Sequence, residues 1–280
     1  MMNNFAVFIL SHGRANNLYT MKTLKICGYT GKVYILLDNE DEQIEQYKKL
    51  YGEETVIIFD KEKALKKWNA MNNFYKKHIV LWARNECQEI ARNMGLEYIF
   101  MLDDDYTSFQ WRYFKDGKLK EKNISNLDKI CELYIDFMNK DKRIKSVCFA
   151  QGGDFIGGKE NKQIKKVKRK AMNAFFIDLK NPIEFIGEIN EDCNTYVDGG
   201  NKGDIYFTIP NIMLTQVQTQ KNANGLTTEY LEIGTYTKSF YTIILQPSSV
   251  KIRLMGGNHK RLHHKIEDRY TYPRILREFI

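Results

Sequence analysis

Short apolar segments alternate with amphipathic segments along the first hundred residues. The apolar runs have strand length and occupy residues 5–10, 32–37, 55–59 and 97–102. Helical spacing of apolar positions is found in residues 16–27, 42–51, 62–76 and 82–94. Because apolar strands separated by helices are typical of parallel sheets covered on both faces, this half predicts an α/β fold. We expect a mostly parallel, Rossmann-like central sheet covered by helices.

The second half has a different pattern, which predicts a smaller antiparallel β part. An Asp116-Gly117 dipeptide between β-rich residues 107–114 and 118–120 indicates a hairpin. Residues 125–140 are predicted to be a helix, and 189–199 begin with a helical pattern before glycine-rich turns. Further strands are predicted at residues 145–150, 171–179, 183–187, 205–209 and 240–245. The chain contains no repeat and no clear linker, so we expect one domain over residues 1–280.

Composition limits the class of protein. The chain has 280 residues, 43% of them hydrophobic, which is enough for a sizeable core. It contains no apolar run of about 18 residues, so we expect no membrane span. Its five cysteines are scattered and form no CxxC pair, and its start has no signal-peptide pattern. These features predict a cytoplasmic protein with buried free thiols and no membrane partner.

Charge is concentrated in two segments. The net charge is +8, yet residues 159–170 carry seven Lys or Arg and one Glu, a local +6. Residues 251–280 carry eight Lys or Arg and three Asp or Glu, a local +5, which leaves the rest at −3. A polyanionic partner and a solvated lysine face explain this distribution equally well.

Polar residues follow three of the predicted parallel strands. Ser11–Arg14, Asp38–Asp41 and Asp103–Asp105 each stand where a strand ends. In open parallel sheets, ligands bind at the carboxyl ends of the strands. We therefore expect these three segments to meet at one site.

The triple aspartate predicts a site for a hard cation. No helical pattern follows Asp105, so a helix cap is a poor explanation for the acids. Carboxylate oxygens suit Mg²⁺ or Mn²⁺, and both ions commonly also bind substrate phosphates. Since side chains alternate along a strand, Asp103 and Asp105 lie on one side and can share a metal, while Asp104 points elsewhere.

The order of these motifs resembles glycosyltransferases of the GT-A fold, in which a DxD motif holds a divalent metal against the diphosphate of a nucleotide sugar. The closer resemblance is to the TET-associated glycosyltransferases, which occur in bacteriophages and are linked to sugar addition on modified bases of phage DNA. The residues that carry it are Ser11–Arg14, Asp38–Glu40, Arg84-Asn85, Asp103–Asp105, Asn190–Asp192 with Asn194 and Tyr196, and Leu262–Lys265.

This resemblance implies roles for particular residues. A divalent cation, Mn²⁺ or Mg²⁺, is expected on Asp103 and Asp105, with His263 or His264 as a further ligand. Asp192, or alternatively Glu191, is expected to act as the general base of an inverting transfer. The nucleotide sugar, expected to be a UDP-sugar, is assigned to Ser11, Arg14, Asp38, Asp60, Lys61, Arg84, Asp103, Asp104 and Lys265.

The resemblance also implies a division of labour along the chain. Residues 1–106 are expected to bind the donor, residues 107–250 the acceptor, and residues 251–280 to close the donor site. The expected acceptor is DNA that carries 5-hydroxymethylcytosine or 5-hydroxymethyluracil. Residues expected to contact nucleic acid are Trp111, Arg112, Lys165, Lys166, Lys168 and Arg169.

Each of these roles has a simpler alternative. Asp38 and Asp60 suit turns, Glu191 and Asp192 suit the start of a helix, and the aromatic residues after Asp105 suit a core. At the level of the whole protein, a glycosyltransferase acting on a polysaccharide or protein remains open. A nucleotidyltransferase also remains, although Ser11–Arg14 is a poor match to a glycine-rich activation loop.

Overall fold

A computed structural model describes residues 4–71, 79–155, 167–217, 236–255 and 261–271. Its main strands are β1 (Phe5–Leu10), β2 (Lys32–Asp38), β3 (Val56–Phe59), β4 (Tyr98–Asp103), β5 (Tyr106–Lys115), β6 (Lys118–Asn123), β7 (Ile144–Ala150), β8 (Phe175–Asp178) and β9 (Ile205–Gln216). They form one sheet in the order β3-β2-β1-β4-β8-β7-β9-β5-β6. Within it, β5 and β8 run opposite to the other strands. The predicted α/β class with a mostly parallel central sheet is confirmed.

Helices cover both faces of the sheet. In chain order the described helices are α1 (Tyr19–Ile26), α2 (Ile44–Tyr51), α3 (Lys61–Lys67), α4 (Leu81–Asn93), α5 (Leu127–Met138), α6 (Glu191–Lys202), α7 (Tyr236–Leu245) and α8 (Asp268–Thr271). Alternate residues of β1 serve the two sides: Val7 and Ile9 pack with α1, α2 and α5, whereas Phe8 packs with α3, α4 and α6. A strand buried on both faces needs apolar residues at every position, which explains the unbroken run at residues 5–10.

The register of the parallel half determines where the site lies. Leu10 of β1 lies opposite Leu36 of β2 on one side and Asp103 of β4 on the other. Asp38 of β2 lies opposite Phe59 of β3. The segments after these strands therefore leave the sheet at the same edge, as the sequence predicted.

The β5–β6 hairpin is confirmed, with Asp116 and Gly117 as its two-residue turn. Both turn residues have positive φ, 52° and 71°, the geometry that makes Asp-Gly a favoured hairpin turn. A smaller antiparallel sheet joins β10 (Val250–Met255) to β11 (Arg261–Ile266). It packs against α7, so the predicted antiparallel part is present in both the large and the small sheet.

Two predicted strands are wrong. Residues 240–245 belong to helix α7, although their aromatic and β-branched side chains favour strands. There the buried hydroxyls of Ser239 and Thr242 and the packing on β11 outweigh intrinsic preference. Residues 183–187 form no strand, because backbone groups of this segment bond side chains of α4 and α6 instead of a neighbouring strand.

The helix predicted from residue 189 extends further than expected, because the glycine-rich turns were predicted after residue 199 and α6 ends only at Lys202. Gly199 and Gly200 lie inside α6, where glycine allows close packing. A Cβ atom at Gly200 would lie 2.0 Å from the backbone oxygen of Thr271 in α8, and one at Gly199 would lie 2.4 Å from the Tyr206 hydroxyl. The two glycines thus let α8 and β9 approach the helix. Within the described ranges, no helix has both the length and the apolar character needed to cross a membrane.

Candidate functional site

The backbone of the triple aspartate is fixed by a buried threonine of α1. The Thr20 hydroxyl donates to the Asp103 carbonyl at 2.6 Å and accepts from the Tyr106 amide at 2.9 Å. The Thr20 amide donates to the Asp104 carbonyl at 3.1 Å. Three hydrogen bonds to one residue hold the turn between β4 and β5, so the three carboxylates leave it in set directions. No sequence signal had indicated a role for Thr20.

Asp104 points inward, away from solvent. Its carboxylate accepts from the Ser11 hydroxyl and from Arg14 Nη1, each at 2.6 Å, and the residue is only 4% exposed. The Tyr47 hydroxyl braces the same loop through Ser11 Oγ at 2.7 Å and the Arg14 amide at 2.8 Å. Ser11 and Arg14 therefore join the first strand end to the aspartate turn, and much of their bonding capacity is used there.

Asp103 points toward the other face of the sheet. It accepts from the Tyr106 hydroxyl at 3.1 Å and lies 3.4 Å from Arg84 Nη2. Its side chain keeps 30% exposure. One carboxylate oxygen thus has a neutral donor and the other a cationic neighbour, while the group remains accessible from solvent.

Asp105 has the least neutralised carboxylate of the three. Burial raises its pKa to about 7, and the charges of Asp103 and Asp104 act in the same direction. Its side chain accepts no hydrogen bond from another described side chain. A partly buried carboxylate beside two others, with no cation bound to it, fits a divalent cation with oxygen ligands.

The described part of the chain contains no group of three or more His, Cys, Asp or Glu side chains arranged as a metal site. Divalent cations in proteins also take ligands from water and substrate. Mg²⁺ in particular is commonly held by one or two carboxylates together with substrate phosphates. Asp103 and Asp105 therefore fit as the protein's share of such a site.

Arg84 links the aspartate turn to helix α6. Its Nη2 lies 3.4 Å from both Asp103 Oδ1 and Glu191 Oε1. The guanidinium carbon lies 4.9 Å from the ring centroid of Phe175 and 5.4 Å from that of Phe185, and the two rings pack edge to face. Burial opposes its charge, but Glu191 and Asp103 outweigh that effect and raise the pKa of Arg84. Its Nε and Nη1 are buried without a hydrogen-bond partner, so this cation is incompletely satisfied in the free protein.

Glu191 and Asp192 begin α6, in the first turn where acidic residues are favourable. Their environments differ. Glu191 is 9% exposed, and burial raises its pKa in spite of the Arg84 charge. Asp192 is half-buried and its carboxylate accepts from the neighbouring Cys193 amide at 2.7 Å. Only Glu191 is held in an ion pair, which leaves Asp192 the more available base of the two.

A second cluster surrounds Asp38 at the end of β2. Its carboxylate pairs with His12 Nδ1 at 2.7 Å and with Lys61 Nζ at 2.9 Å. Burial opposes ionisation of Asp38, but these two hydrogen bonds outweigh it and lower its pKa to about 2. The predicted residue Asp60 has a structural contact here, because it caps α3 by accepting from the Lys63 amide at 3.0 Å.

Two amides of α4 hold the segment that leads to α6, a feature that sequence reasoning missed. Asn85 bonds the Phe185 backbone twice, accepting from its amide at 2.8 Å and donating to its carbonyl at 3.0 Å. Gln88 accepts from the Ile183 amide at 2.9 Å and donates to the Ile183 carbonyl at 2.8 Å. The spacing of two amides on one helix face was the available signal.

Among the described C-terminal residues, His264 lies beside α6. His264 Nε2 lies 3.5 Å from Cys193 Sγ, and burial lowers the pKa of this imidazole to about 4. His263 Nδ1 lies 2.6 Å from the His264 carbonyl, and Lys265 pairs with Glu267 at 2.8 Å. Neither histidine pairs with Asp103 or Asp105 in the described contacts, so their role as metal ligands stays a prediction.

The residues predicted to contact nucleic acid have mixed placements. Trp111 is half-buried against the core, and Arg112 pairs with Glu121 at 2.8 Å. Lys168 pairs with the buried Asp154 at 3.0 Å, and Arg169 lies 5.0 Å from the Phe207 ring centroid. Lys165 and Lys166 lie outside the described residues.

Lys170 is the last residue of the basic segment 159–170, and it has a defined position in the structure. Its ammonium lies 2.6 Å from Asp154, which it shares with Lys168. Lys170 is also among the positive charges that act on the Cys193 thiol, next to Asp192. The cluster contains two ammonium groups and one carboxylate, so it brings net positive charge toward the start of α6.

Comparisons with solved structures found similar folds at low identity. Glucosyl-3-phosphoglycerate synthase from Mycobacterium tuberculosis, solved with Mg²⁺ and UDP, is 8% identical with a TM-score of 0.47, and the match covers 94% of this chain and 87% of that one. S. aureus TarS residues 1–349 are 10% identical with a TM-score of 0.42, covering 75% and 59%. GalNAc-T7 with UDP, GalNAc and Mn²⁺ is 12% identical with a TM-score of 0.43, covering 76% and 44%. No curated protein matches the sequence.

A comparison with protein families gives the assignment. The model of the family described as TET-Associated Glycosyltransferase matches residues 5–225. The matched residues include all nine strands of the large sheet, the triple aspartate and the Glu191-Asp192 pair. The chain therefore belongs to the TET-associated glycosyltransferase family, and it is a glycosyltransferase.

Proposed function

We propose that this protein transfers a sugar from a nucleotide sugar, in the first place a UDP-sugar, to the hydroxyl group of a hydroxymethylated pyrimidine in phage DNA. Family membership supports the transfer of a sugar. The observation that carries the mechanism is the Arg84 guanidinium, which lies 3.4 Å from Asp103 and 3.4 Å from Glu191. One buried cation thus couples the donor side of the site to the acceptor side.

On the donor side, Asp103 and Asp105 would hold Mn²⁺ or Mg²⁺ against the diphosphate. A divalent cation bound there supplies positive charge that offsets the charge developing on the leaving diphosphate. Arg14, tied to Asp104 at 2.6 Å, places a further cation beside the same turn. The Nε and Nη1 donors of Arg84 lack partners, so a small shift of the side chain would let them serve phosphate oxygens.

The nucleoside is assigned to the cluster around Asp38. The His12 side chain is 42% exposed and that of Glu40 is 35% exposed, so part of this cluster faces solvent. Asp38 and Lys61 are each held by short polar contacts, which fixes hydrogen-bonding groups at the ends of β2 and β3. Fixed polar groups in that position suit recognition of a ribose or a base. Lys265 and the two C-terminal histidines remain proposed donor contacts from the 251–280 segment.

On the acceptor side, Asp192 would accept the proton of the attacking hydroxyl. An inverting transfer needs one carboxylate within reach of that hydroxyl, and Asp192 has no cation bound to it in the described contacts. Glu191 keeps Arg84 in place rather than serving as the base. Lys168 and Lys170, held on Asp154, bring positive charge to the same end of α6 and suit a phosphate of the acceptor.

The test is a turnover assay with defined donors and acceptors. Purified protein is incubated with Mn²⁺, a panel of UDP-sugars, and duplex DNA containing cytosine, 5-hydroxymethylcytosine or 5-hydroxymethyluracil. Nucleosides are then measured by mass spectrometry, and UDP release is measured in parallel. We expect the mass of one sugar on a hydroxymethylated base. Asp103→Asn should remove this gain, and Asp136→Asn, a change at an exposed position of α5, should preserve it.

The two readouts separate the parts of the proposal. Metal-dependent UDP release without any gain on DNA would exclude the DNA acceptor and favour a polysaccharide or protein acceptor. Absence of UDP release with every donor would contradict the assignment of the triple aspartate as a donor site.

A further inference from the structure

The β5–β6 hairpin presents two chemically different faces. Side chains directly opposite each other in an antiparallel pair point to the same face, and successive residues alternate between faces. The register places Trp111 opposite Lys122, Tyr113 opposite Lys120, and Lys115 opposite Lys118. These six residues therefore share one face of the hairpin, which we call the lysine face.

The lysine face combines positive charge with aromatic rings. It carries four ammonium groups and two aromatic side chains. The acidic residues of the hairpin are elsewhere: Asp116 lies in the turn, and Glu121 lies on the opposite face, where it pairs with Arg112 at 2.8 Å. Arg112, one of the six expected nucleic-acid contacts, therefore lies on the face opposite to the lysines.

The lysine face is open to solvent. All four lysines are exposed, and Tyr113 is 41% exposed. None of the four forms an ion pair within the described ranges. Strand β6 is the last strand of the sheet in the described structure, so no further strand covers its outer edge. The hairpin thus keeps four uncompensated charges in water.

We infer that the lysine face binds the phosphate backbone of a nucleic-acid acceptor. The inference rests on the proposed function and adds the surface that would hold the acceptor. Ammonium groups bind backbone phosphates without regard to sequence, and an exposed ring offers a surface on which a base can stack. Lysines at every second residue of β6 recur about every 6.7 Å, which matches roughly two nucleotides of axial rise along one strand.

The position of the hairpin relative to the site supports this partner. Strand β5 begins at Tyr106, whose hydroxyl donates to Asp103. Trp111 follows five residues later, which is about 17 Å along an extended strand. Lys122 lies beside Trp111, and the remaining lysines continue outward toward the turn. A polyanion lying along this face would therefore run toward the turn between β4 and β5 that carries the triple aspartate.

Protection of an edge strand is the alternative explanation. Lysines on an edge strand prevent sheets from joining edge to edge, and β6 is such a strand. That role accounts for the lysines of β6 but requires neither Lys115 on β5 nor an exposed Tyr113 beside them. It also predicts increased association of the protein, with no change in DNA binding, when the lysines are neutralised.

The experiment measures DNA binding in the absence of any donor. A fluorescein-labelled 20-base-pair duplex is titrated with full-length protein at several salt concentrations, and anisotropy gives the affinity. For the K118Q/K120Q/K122Q variant, we expect the slope of log K against log salt to become shallower by about 2 to 3, and by about 1 for K120Q alone. The control K66Q/K140Q/K142Q has the same net charge, changes exposed lysines elsewhere, and should keep the wild-type slope.

The result distinguishes failure of this inference from failure of the proposed function. If the hairpin variant keeps the wild-type slope while the wild type binds DNA, the lysine face is not the binding surface. If the hairpin and control variants weaken equally, the effect is one of net charge and the inference is also wrong. If the wild type releases UDP from a donor but binds no DNA, the nucleic-acid partner is excluded while the glycosyltransferase stands. Urea unfolding of each variant confirms that the changes at exposed positions leave the fold intact.

Discussion

At the scale of single residues, the two acids at the start of α6 are distinguished by their partners. Glu191 is buried in an ion pair with Arg84, whereas Asp192 has only the neighbouring amide of Cys193 among its described hydrogen bonds. A base must be free to take a proton, and a residue that compensates a buried guanidinium is not. We therefore assign proton transfer to Asp192 and positioning of Arg84 to Glu191.

Asp192→Asn should lower the rate of sugar transfer by roughly 10²- to 10⁴-fold, the usual contribution of a general base. Donor affinity should change little, because Asp192 lies on the acceptor side. Transfer is measured by mass spectrometry and UDP affinity by calorimetry in the presence of Mn²⁺. A variant that transfers sugar within a few-fold of the wild-type rate would show that Asp192 is not the base.

Glu191→Gln serves as the comparison for that variant. It leaves the Arg84 guanidinium with Asp103 as its main carboxylate partner. Loss of a charged hydrogen-bond partner in a buried site costs about 1–3 kcal/mol. The free energy of unfolding of this variant should therefore be lower than that of the wild type. If Asp192 had only a structural role, Asp192→Asn would lower the free energy of unfolding in the same way as Glu191→Gln.

Asp38 makes the stability of the protein depend on pH in a defined window. Its pKa is about 2 in the folded protein, against 3.8 ordinarily, because His12 and Lys61 outweigh the cost of burial. Between these two values the unfolded chain binds more protons, so stability from this group rises with pH and is complete above about pH 4. The shift corresponds to about 2 kcal/mol.

Asp38→Asn should therefore lower the free energy of unfolding by about 2 kcal/mol at pH 6, and the difference from the wild type should shrink toward pH 2. Urea denaturation at a series of pH values measures both. Asp136→Asn, on the exposed side of α5, is the matched control. A difference that stayed constant from pH 6 to pH 2 would mean that ionisation of Asp38 is not its source.

His12 contributes in the opposite direction at higher pH. Its hydrogen bond to Asp38 raises its pKa above 6.5, so the folded protein binds more protons than the unfolded chain above that value. Stability from this group is complete below pH 6.5 and is lost as pH rises through the folded pKa. Between about pH 4 and pH 6.5 both groups stabilise the folded protein. The contribution of the Asp38 cluster to the free energy of unfolding is therefore largest at mildly acidic pH.

At the scale of elements, α4 acts as the frame of the site. Arg84 reaches Asp103 and Glu191 from its first turns, while Asn85 and Gln88 hold residues 183 and 185. These side chains replace the neighbouring strand that the backbone of 183–185 lacks. The helix thus fixes both the bridging cation and the segment that leads into α6.

Asn85→Ala or Gln88→Ala should lower stability by about 1–3 kcal/mol, because each leaves a backbone amide and carbonyl without partners. Hydrogen exchange measured by mass spectrometry should show faster exchange at residues 183–189. Asn93→Ala, at the exposed end of the same helix, is the control and should change neither quantity. Unchanged exchange at 183–189 in both α4 variants would show that other contacts hold the segment.

The elements also show how far the sequence could predict the structure. Strands β1 and β4 were predictable because burial on both faces requires unbroken apolar runs. Helix α7 was not, since its residues favour strands and only packing on β11 makes them helical. Asp104 lies in the turn after β4, so strand alternation does not determine its direction, and its partners Ser11 and Arg14 follow from the sheet register. Thr20 acts through backbone groups of the aspartate turn, and such contacts leave no compositional trace.

At the scale of the whole molecule, the site joins parts that are distant in the sequence. The Ser11–Arg14 loop, the triple aspartate and the start of α6 converge on one edge of the sheet, with β11 beside them through His264 and Cys193. Ligands that contact several of these parts should stabilise the fold as a unit. Binding to the native state alone raises the free energy of unfolding by about 2.7 kcal/mol at 100 times the dissociation constant.

UDP and Mn²⁺ together should therefore raise the unfolding midpoint more than the sum of their separate effects, because the diphosphate and the aspartates share the cation. Thermal unfolding with UDP, with Mn²⁺, and with both measures this coupling. Asp103→Asn should abolish the coupling but keep any stabilisation by UDP alone, whereas Asp136→Asn should keep both. Equal coupling in wild type and Asp103→Asn would mean that the cation binds the nucleotide away from the triple aspartate. Since this measurement needs neither sugar nor acceptor, it tests the metal-dependent donor site independently of the reaction that the site performs.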